Sequence, residues 1–246
     1  MAGHSKFANI KHRKGAQDAK RGKIFSKLIK EITVAVKDGG ADPDSNPRLR
    51  LAIQNSKGQN MPKDTVERAI SKASGAGADN YDEVSFEGYG PDGVGVFVEC
   101  ATDNNMRTVS SVRSYFNKHN GSLGKDGCLA STFERKGIFS IKTALISDED
   151  EFTMEMIDAG AEDVESESGI TTVTTAMEDF GRAQKKLEEL KLETIEAGLE
   201  RVSIFEKEIS KDAWKTFNKL IDMLEDDDDV QKVYHNAQFE EWMNED

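Results

Sequence analysis

Residues 137–206 read GIFSIKTALISDEDEFTMEMIDAGAEDVESESGITTVTTAMEDFGRAQKKLEELKLETIEAGLERVSIFE. Gly137 precedes an apolar, β-branched run, which predicts a strand at 138–143. The spacing then predicts a helix at 149–158, strands near 162–167 and 170–175, a helix at 178–190 and a strand at 195–206. That order, β-α-β-β-α-β, is the split βαβ pattern of a ferredoxin-like domain.

The flanking sequence repeats the pattern in part. Val94-Gly-Val-Phe-Val-Glu-Cys100 reads as a buried strand. Residues 104–119 form an amphipathic helix through Met106, Val109, Val112, Tyr115 and Phe116. Gly121 to Gly127 is a turn and 128–134 a strand. A helix at 211–224 and a strand at 230–236 follow. If 199–206 is shared or bent, the remainder spells the same order again. The body is therefore expected to hold two ferredoxin-like α+β domains, one inserted in the other.

The N-terminal side is helical. Ile24, Phe25, Leu28, Ile29, Ile32 and Val36 share one helical face, which Gly39-Gly40 ends. Asn46-Pro47 supplies an N-cap and an N1 proline for a second helix through about Lys57. Pro62 opens a third, with Val66, Ala69, Ile70 and Ala73 inward. Residues 1–22 lack apolar periodicity and read as an arm that orders on a partner. The expected division is 1–77 for the basic arm and three-helix domain, 78–135 with 204–246 for one α+β domain, and 136–203 for the inserted one.

Charge divides the chain the same way. Residues 1–37 hold ten Lys and Arg against Asp18 and Glu31. Residues 1–75 carry +9; the whole chain is −13, so residues 76–246 carry −22. A basic end on an acidic body is the pattern of a nucleic-acid-binding arm on a domain that repels phosphate. Solvated surface is the plainer reading of a charge run. Here the run is nearly free of acids and includes His4, His12, Asn9 and Gln17, which suit phosphates and base edges.

Other classes find less support. No apolar run approaches the roughly 18 residues of a membrane span. The basic start lacks an apolar h-region, so it does not read as a secretory signal, and its dense Lys-His-Arg-Lys block argues against a transit peptide. Cys100 and Cys128, without a CxxC, read as free thiols in a reducing cytoplasm. Gly88-Tyr-Gly-Pro-Asp-Gly93 satisfies G-x-G-x-x-G but precedes a strand and contains Pro91, so it reads as a tight turn. Gly121-Ser-Leu-Gly-Lys125 has the wrong spacing for a phosphate-binding loop. Asp42-Pro-Asp-Ser-Asn46 imitates a calcium loop, yet Pro47 and Ile53 stand where Gly and Glu are needed. No catalytic constellation appears, and neither an enzyme, a cofactor nor a metal is expected. Asp226–Asp229 lies at a helix end whose dipole disfavours anions. It reads as a solvated turn, a weak Mg²⁺ contact, or an internal decoy that competes with phosphate for the arm.

The candidate contacts are Lys6, Lys11, Arg13, Lys14, Lys20, Arg21 and Lys23 for phosphates, with His12 among them and Phe7 to stack or insert. Arg48, Arg50 and Lys63 extend the basic face. Roughly six to eight such cations on duplex DNA predict a log–log salt slope of about −5 to −7. They carry affinity and little sequence information. No recognition helix stands out.

Several segments resemble the YebC family, whose members are often labelled probable transcriptional regulatory proteins and include the mitochondrial translational activator of cytochrome c oxidase. The matching residues are Met1-Ala-Gly-His-Ser-Lys6, Ala8-Asn-Ile-Lys-His-Arg-Lys14, Gly22-Lys-Ile-Phe-Ser-Lys-Leu-Ile29, Asn46-Pro-Arg-Leu-Arg50, Asn60-Met-Pro-Lys-Asp64 and Glu67-Arg-Ala-Ile70. They continue with Glu87-Gly-Tyr-Gly-Pro91, Thr102-Asp-Asn104, Arg107-Thr108, Phe133-Glu-Arg-Lys-Gly137, Leu224-Glu-Asp-Asp-Asp-Asp-Val230 and Tyr234-His-Asn236. Phe7 stands where the family usually has Trp, and Ser131 where a large aromatic is common. The resemblance implies three domains and a cytoplasmic, non-enzymatic regulator of gene expression. Family members have been assigned both to promoter DNA and to the ribosome. The expected partner is thus nucleic acid, duplex DNA or ribosomal RNA, met by a monomer away from membranes.

Overall fold

The computed structural model describes residues 17–75, 77 and 79–244, with side chains except at 17–20, 241 and 244. In chain order the elements are α1 (Gln17–Gly39), α2 (Pro47–Gly58), α3 (Lys63–Ser74), β1 (Asp82–Tyr89), β2 (Gly95–Thr102), α4 (Asn105–Lys118), β3 (Ser122–Leu123) and β4 (Phe133–Lys142). They continue with α5 (Glu149–Asp158), β5 (Ala161–Glu167), β6 (Ile170–Ala176), α6 (Phe180–Glu189), β7 (Thr194–Ser203), α7 (Lys211–Asp226) and β8 (Val230–His235). The fold class is α+β, as the sequence predicts. Among the described residues, no helix is long and apolar enough to cross a membrane. The chain divides into two compact units: residues to Lys30 with Asp79–Glu134 and Val202 onward, and Glu31–Ala78 with Arg135–Arg201.

In the first unit the sheet order is β3-β1-β2-β8. β1 and β2 form an antiparallel hairpin, with Asp82 opposite Thr102 and Tyr89 opposite Gly95. Gly88–Gly93 makes its turn, where Gly90 N–H donates to the Val94 carbonyl at 2.8 Å and Asp92 and Gly93 adopt positive φ. β2 is buried on both faces, as its nearly continuous apolar run predicts. Val96, Val98 and Cys100 pack with Val112 and Phe116 of α4 and with Phe217, Leu220, Ile221 and Leu224 of α7. Phe97 points the other way, to Leu129, Phe133 and Tyr234.

Three expectations need correction here. The strand that completes this sheet is β1, not the 199–206 stretch, and β1 is absent from the sequence reading. Residues 128–132 are not a strand. They form successive turns, with Cys128 N–H bonded to the Lys125 carbonyl and Ala130 N–H to that of Gly127. The buried Glu87 carboxylate on β1 holds them by accepting from Gly127 N–H at 2.9 Å and Leu129 N–H at 2.6 Å. An amide that a carboxylate collects is not available to a strand ladder. The helix α1 also starts at Gln17, inside the segment read as an arm.

In the second unit the sheet order is β5-β6-β4-β7. With its two helices this is β-α-β-β-α-β in the expected ferredoxin-like arrangement. β5 and β6 join through a two-residue loop, Ser168-Gly169, with φ of 49° and 80°. Both values are positive, as the turn that suits the right-handed twist of a hairpin demands. Phe139, Ile141, Val173, Phe152, Met156 and Leu187 fill the core between sheet and helices.

β7 is an edge strand, and α2 shields it. The Asn55 side chain imitates a strand residue: its amide donates to the Ala197 carbonyl and its oxygen accepts from Ala197 N–H, each at 2.8 Å. Gln54 adds a bond to Thr194 Oγ1 at 2.7 Å. Covering an edge in this way blocks unwanted pairing. Asn46, which is buried, sets the entry of α2. Its oxygen accepts from Leu49 N–H, and its amide donates to the carbonyls of Ala35 and Gly40.

The approach of α2 to β7 depends on Gly58. A Cβ there would fall on the Ile195 carbonyl oxygen, with the Thr194 carbonyl oxygen 2.8 Å away. Gly58→Ala is expected to destabilise the protein by about 2 kcal/mol, the scale of an overpacked contact. Denaturant unfolding of the variant checks this; an unchanged midpoint would contradict the contact.

Candidate nucleic-acid interface

Lys23, Lys27 and Lys30 are spaced i, i+4, i+7, so α1 carries them on one face. That face meets the C-terminal end of α7. Lys23 Nζ donates to Asp226 Oδ1 at 2.6 Å and to the Asp226 carbonyl at 3.2 Å. Lys27 donates to the Glu225 carbonyl at 3.2 Å. Lys30 reaches the Asp228 carbonyl at 2.7 Å, and the Ala101 carbonyl and Asp229 Oδ1 at 3.1 Å each. The last carbonyls of a helix lack intrahelical donors and form the negative end of its dipole. Three lysines therefore satisfy both the helix end and the acids that follow it. The run is neither wholly solvated nor free of partners.

Asp229 is the centre of this contact, with its side chain 10% exposed. Its Oδ2 accepts from Thr102 Oγ1 at 3.1 Å, Thr108 Oγ1 at 2.9 Å and Arg107 Nη2 at 2.9 Å. Arg107 also bonds Asp103, and Tyr115 Oη donates to Asp227 Oδ2 at 2.9 Å. Burial pushes the Asp229 carboxyl up. The bonds from Arg107, Lys30 and Thr108, with the Lys30 charge, outweigh that and hold its pKa down at about 2. The same bonds raise the Arg107 pKa. Burial, reinforced by Asp227 and Asp229, pushes the Cys100 thiol up to about 12, so it is inert as a nucleophile at neutral pH.

The structure places the expected contacts unevenly. Lys6, Phe7, Lys11, His12, Arg13 and Lys14 lie outside the described residues, as does the Lys20 side chain. Arg21 stacks over the Phe25 ring at 5.4 Å, and Lys23 is held by Asp226. In the second unit, Arg48 bonds both Glu31 oxygens and, at 2.9 Å, Asp38. Arg50 caps the carbonyls of Pro43 and Asp44. Lys63 is highly exposed and lies 3.6 Å from Glu67. Among the described residues, Lys23, Arg48, Arg50 and Lys63 each have a partner within their own unit. Lys27, Lys30 and Arg107 are charged residues that the sequence reading passed over; the i, i+4, i+7 lysine spacing was the available signal. No cluster of His, Cys, Asp and Glu suited to a metal ion occurs among the described residues.

Comparison with known proteins covers almost the whole chain. The model described as the TACO1/YebC protein N-terminal domain matches residues 5–76, and that of the TACO1/YebC second and third domain matches 81–237. A probable transcriptional regulatory protein of Amoebophilus asiaticus is 52% identical over 96% of this chain and 98% of its own length. One from Bacillus licheniformis is 50% identical over 96% of this chain and 100% of its own. The crystal structure of a conserved hypothetical protein from Aquifex aeolicus superposes with a TM-score of 0.85 at 40% identity, covering 96% of this chain and 98% of the other.

The Asp229 pKa lies below its ordinary 3.8, so its contribution to stability is complete above that value and is lost as pH falls toward about 2. Asp229→Asn is expected to cost about 2 kcal/mol at neutral pH and to flatten the stability profile across that window. Urea unfolding from pH 2 to 7 checks this. Equal losses for both proteins on acidification would contradict it.

Proposed function

The chain belongs to the TACO1/YebC family, and we propose that it is a non-enzymatic regulator of gene expression that binds duplex DNA and controls transcription. The observation that carries this reading is the charge split, +9 over residues 1–75 against −22 over the rest. Lys6, Lys11, Arg13, Lys14, Lys20 and Arg21 neutralise phosphates, and Phe7 stacks or inserts. The acidic body resists collapse onto bulk phosphate and so confines binding to the basic end. The printed names of the relatives support the transcriptional assignment. The protein acts as a cytoplasmic monomer, with the basic arm and helices as the binding domain and the two α+β domains as its acidic body.

A second reading is a ribosome-associated translation factor whose arm binds ribosomal RNA. One observation favours it. Among the six cations of α2 and α3, Arg48 has partners in Glu31 and Asp38, Arg50 in backbone carbonyls, Lys57 in Glu193 and Arg68 in Asp64. A helix that reads bases in the major groove needs side chains available for base edges.

Replacing Lys11, Arg13 and Lys14 together by Gln is expected to weaken binding to duplex DNA and to reduce the log–log salt slope by about 2.7, one increment of 0.9 per lost phosphate contact. Fluorescence anisotropy across a salt series checks this. Unchanged affinity and slope would refute the arm as the phosphate contact.

A further inference from the structure

Residues 104–125 form the longest acid-free stretch between residues 76 and 246, and they contain Arg107, Arg113, Lys118 and Lys125. Within an acidic body this is a local reversal of sign. α4 occupies most of the stretch. Its inner face is Thr108, Val112 and Phe116, all buried against the first unit's core. Positions 110, 113, 114, 117 and 118 fall at helical spacing on the outer face. Ser110, Arg113, Ser114, Asn117 and Lys118 together line a shallow, open depression.

Several cations of the protein are already held by acids. Lys23, Lys30, Arg48 and Arg107 are each bonded to carboxylates. Among the described residues, Arg113 and Lys118 have no carboxylate partner. Their charge is uncompensated, and beside it stand two hydroxyls and an amide that can donate to phosphate oxygens and bond to sugar hydroxyls. Arg and Lys with Ser and Asn are the side chains that hold a polynucleotide by its backbone.

We propose that the outer face of α4 is a second nucleic-acid contact, in which Arg113 and Lys118 bind phosphates of the sugar–phosphate backbone and Ser110, Ser114 and Asn117 hold the adjoining groups. This rests on the nucleic-acid-binding reading above and adds a site in the acidic body to it. The contact is with the backbone, so it fixes orientation and adds affinity without reading sequence. It gives the body a role beyond repulsion, since a polynucleotide that follows this basic face can lie against it.

The test uses the full chain with two probes of one sequence, a DNA duplex and an RNA. Arg113→Gln with Lys118→Gln is expected to weaken binding about tenfold between low and physiological salt and to reduce the salt slope by about 1.8 on duplex DNA. Arg113→Lys with Lys118→Arg keeps the charge and should retain affinity. Lys185→Gln with Lys191→Gln, at exposed sites of the second unit, removes the same two charges and is the control for net charge. A loss confined to one probe assigns the contact to that polymer; equal loss assigns it to the shared phosphates. If the Gln pair behaves like the control while the arm variant binds poorly, this inference alone is wrong. If the unmodified protein binds neither probe, the inference falls together with the proposed function.

Discussion

A single carboxylate, Asp229, ties together the elements of the first unit. It sits at the turn between α7 and β8 and takes bonds from Lys30 of α1, Thr102 at the end of β2, and Arg107 and Thr108 of α4. A buried anion is costly unless its partners are complete, and removing one partner leaves charge uncompensated. The surrounding residues follow from that constraint. Lysines recur along α1 at one-turn intervals because α7 ends there in open carbonyls and acids. Asp229 remains ionised because donors from three elements converge on it. Its cost in desolvation is offset locally.

The consequence for function is a division among the basic residues. Lys23, Lys27 and Lys30 follow the arm in sequence, yet they are engaged with α7 and the turn after it. Arg48 and Arg50 likewise brace the connection from α1 to α2. Cations that stabilise the fold in this way are poor phosphate ligands, because a phosphate would have to displace partners already in place. On the proposals above, the arm and the pair Arg113 and Lys118 on α4 are the residues that would hold a polynucleotide. Charge counted along a sequence therefore overstates the surface that binds.

Most of the architecture was legible beforehand, because periodicity reports burial. The inserted domain's strands and helices follow from alternation and helical spacing, and α2 from Asn46-Pro47. The strand β1 was not legible: Asp82, Glu83 and Glu87 dilute its apolar pattern, and Glu87 is buried only because it holds the turns at 127–129. Those turns were misread as a strand for the same reason. Cys128, Leu129 and Phe133 look like strand residues, while the carboxylate that bends the chain lies about forty positions earlier. The candidate site was legible as charge and not as geometry. Nothing local in Lys23 or Arg48 shows that an acid distant in sequence or across a turn already holds it. Arg113 and Lys118 were passed over because two cations in a helix read as ordinary solvated surface until their neighbours are known.

The family relationship places the chain among regulators by the names of its relatives, and the physical reading adds where a polynucleotide would be held. On the function proposed above, this protein engages duplex DNA in the cell through its basic end. Crosslinking in living cells, followed by sequencing of the DNA and the RNA recovered with the protein, tests it most directly. The account predicts discrete DNA sites near promoters, with crosslinks in the arm. Recovery of ribosomal RNA near one functional centre, without DNA enrichment, would contradict the transcriptional assignment.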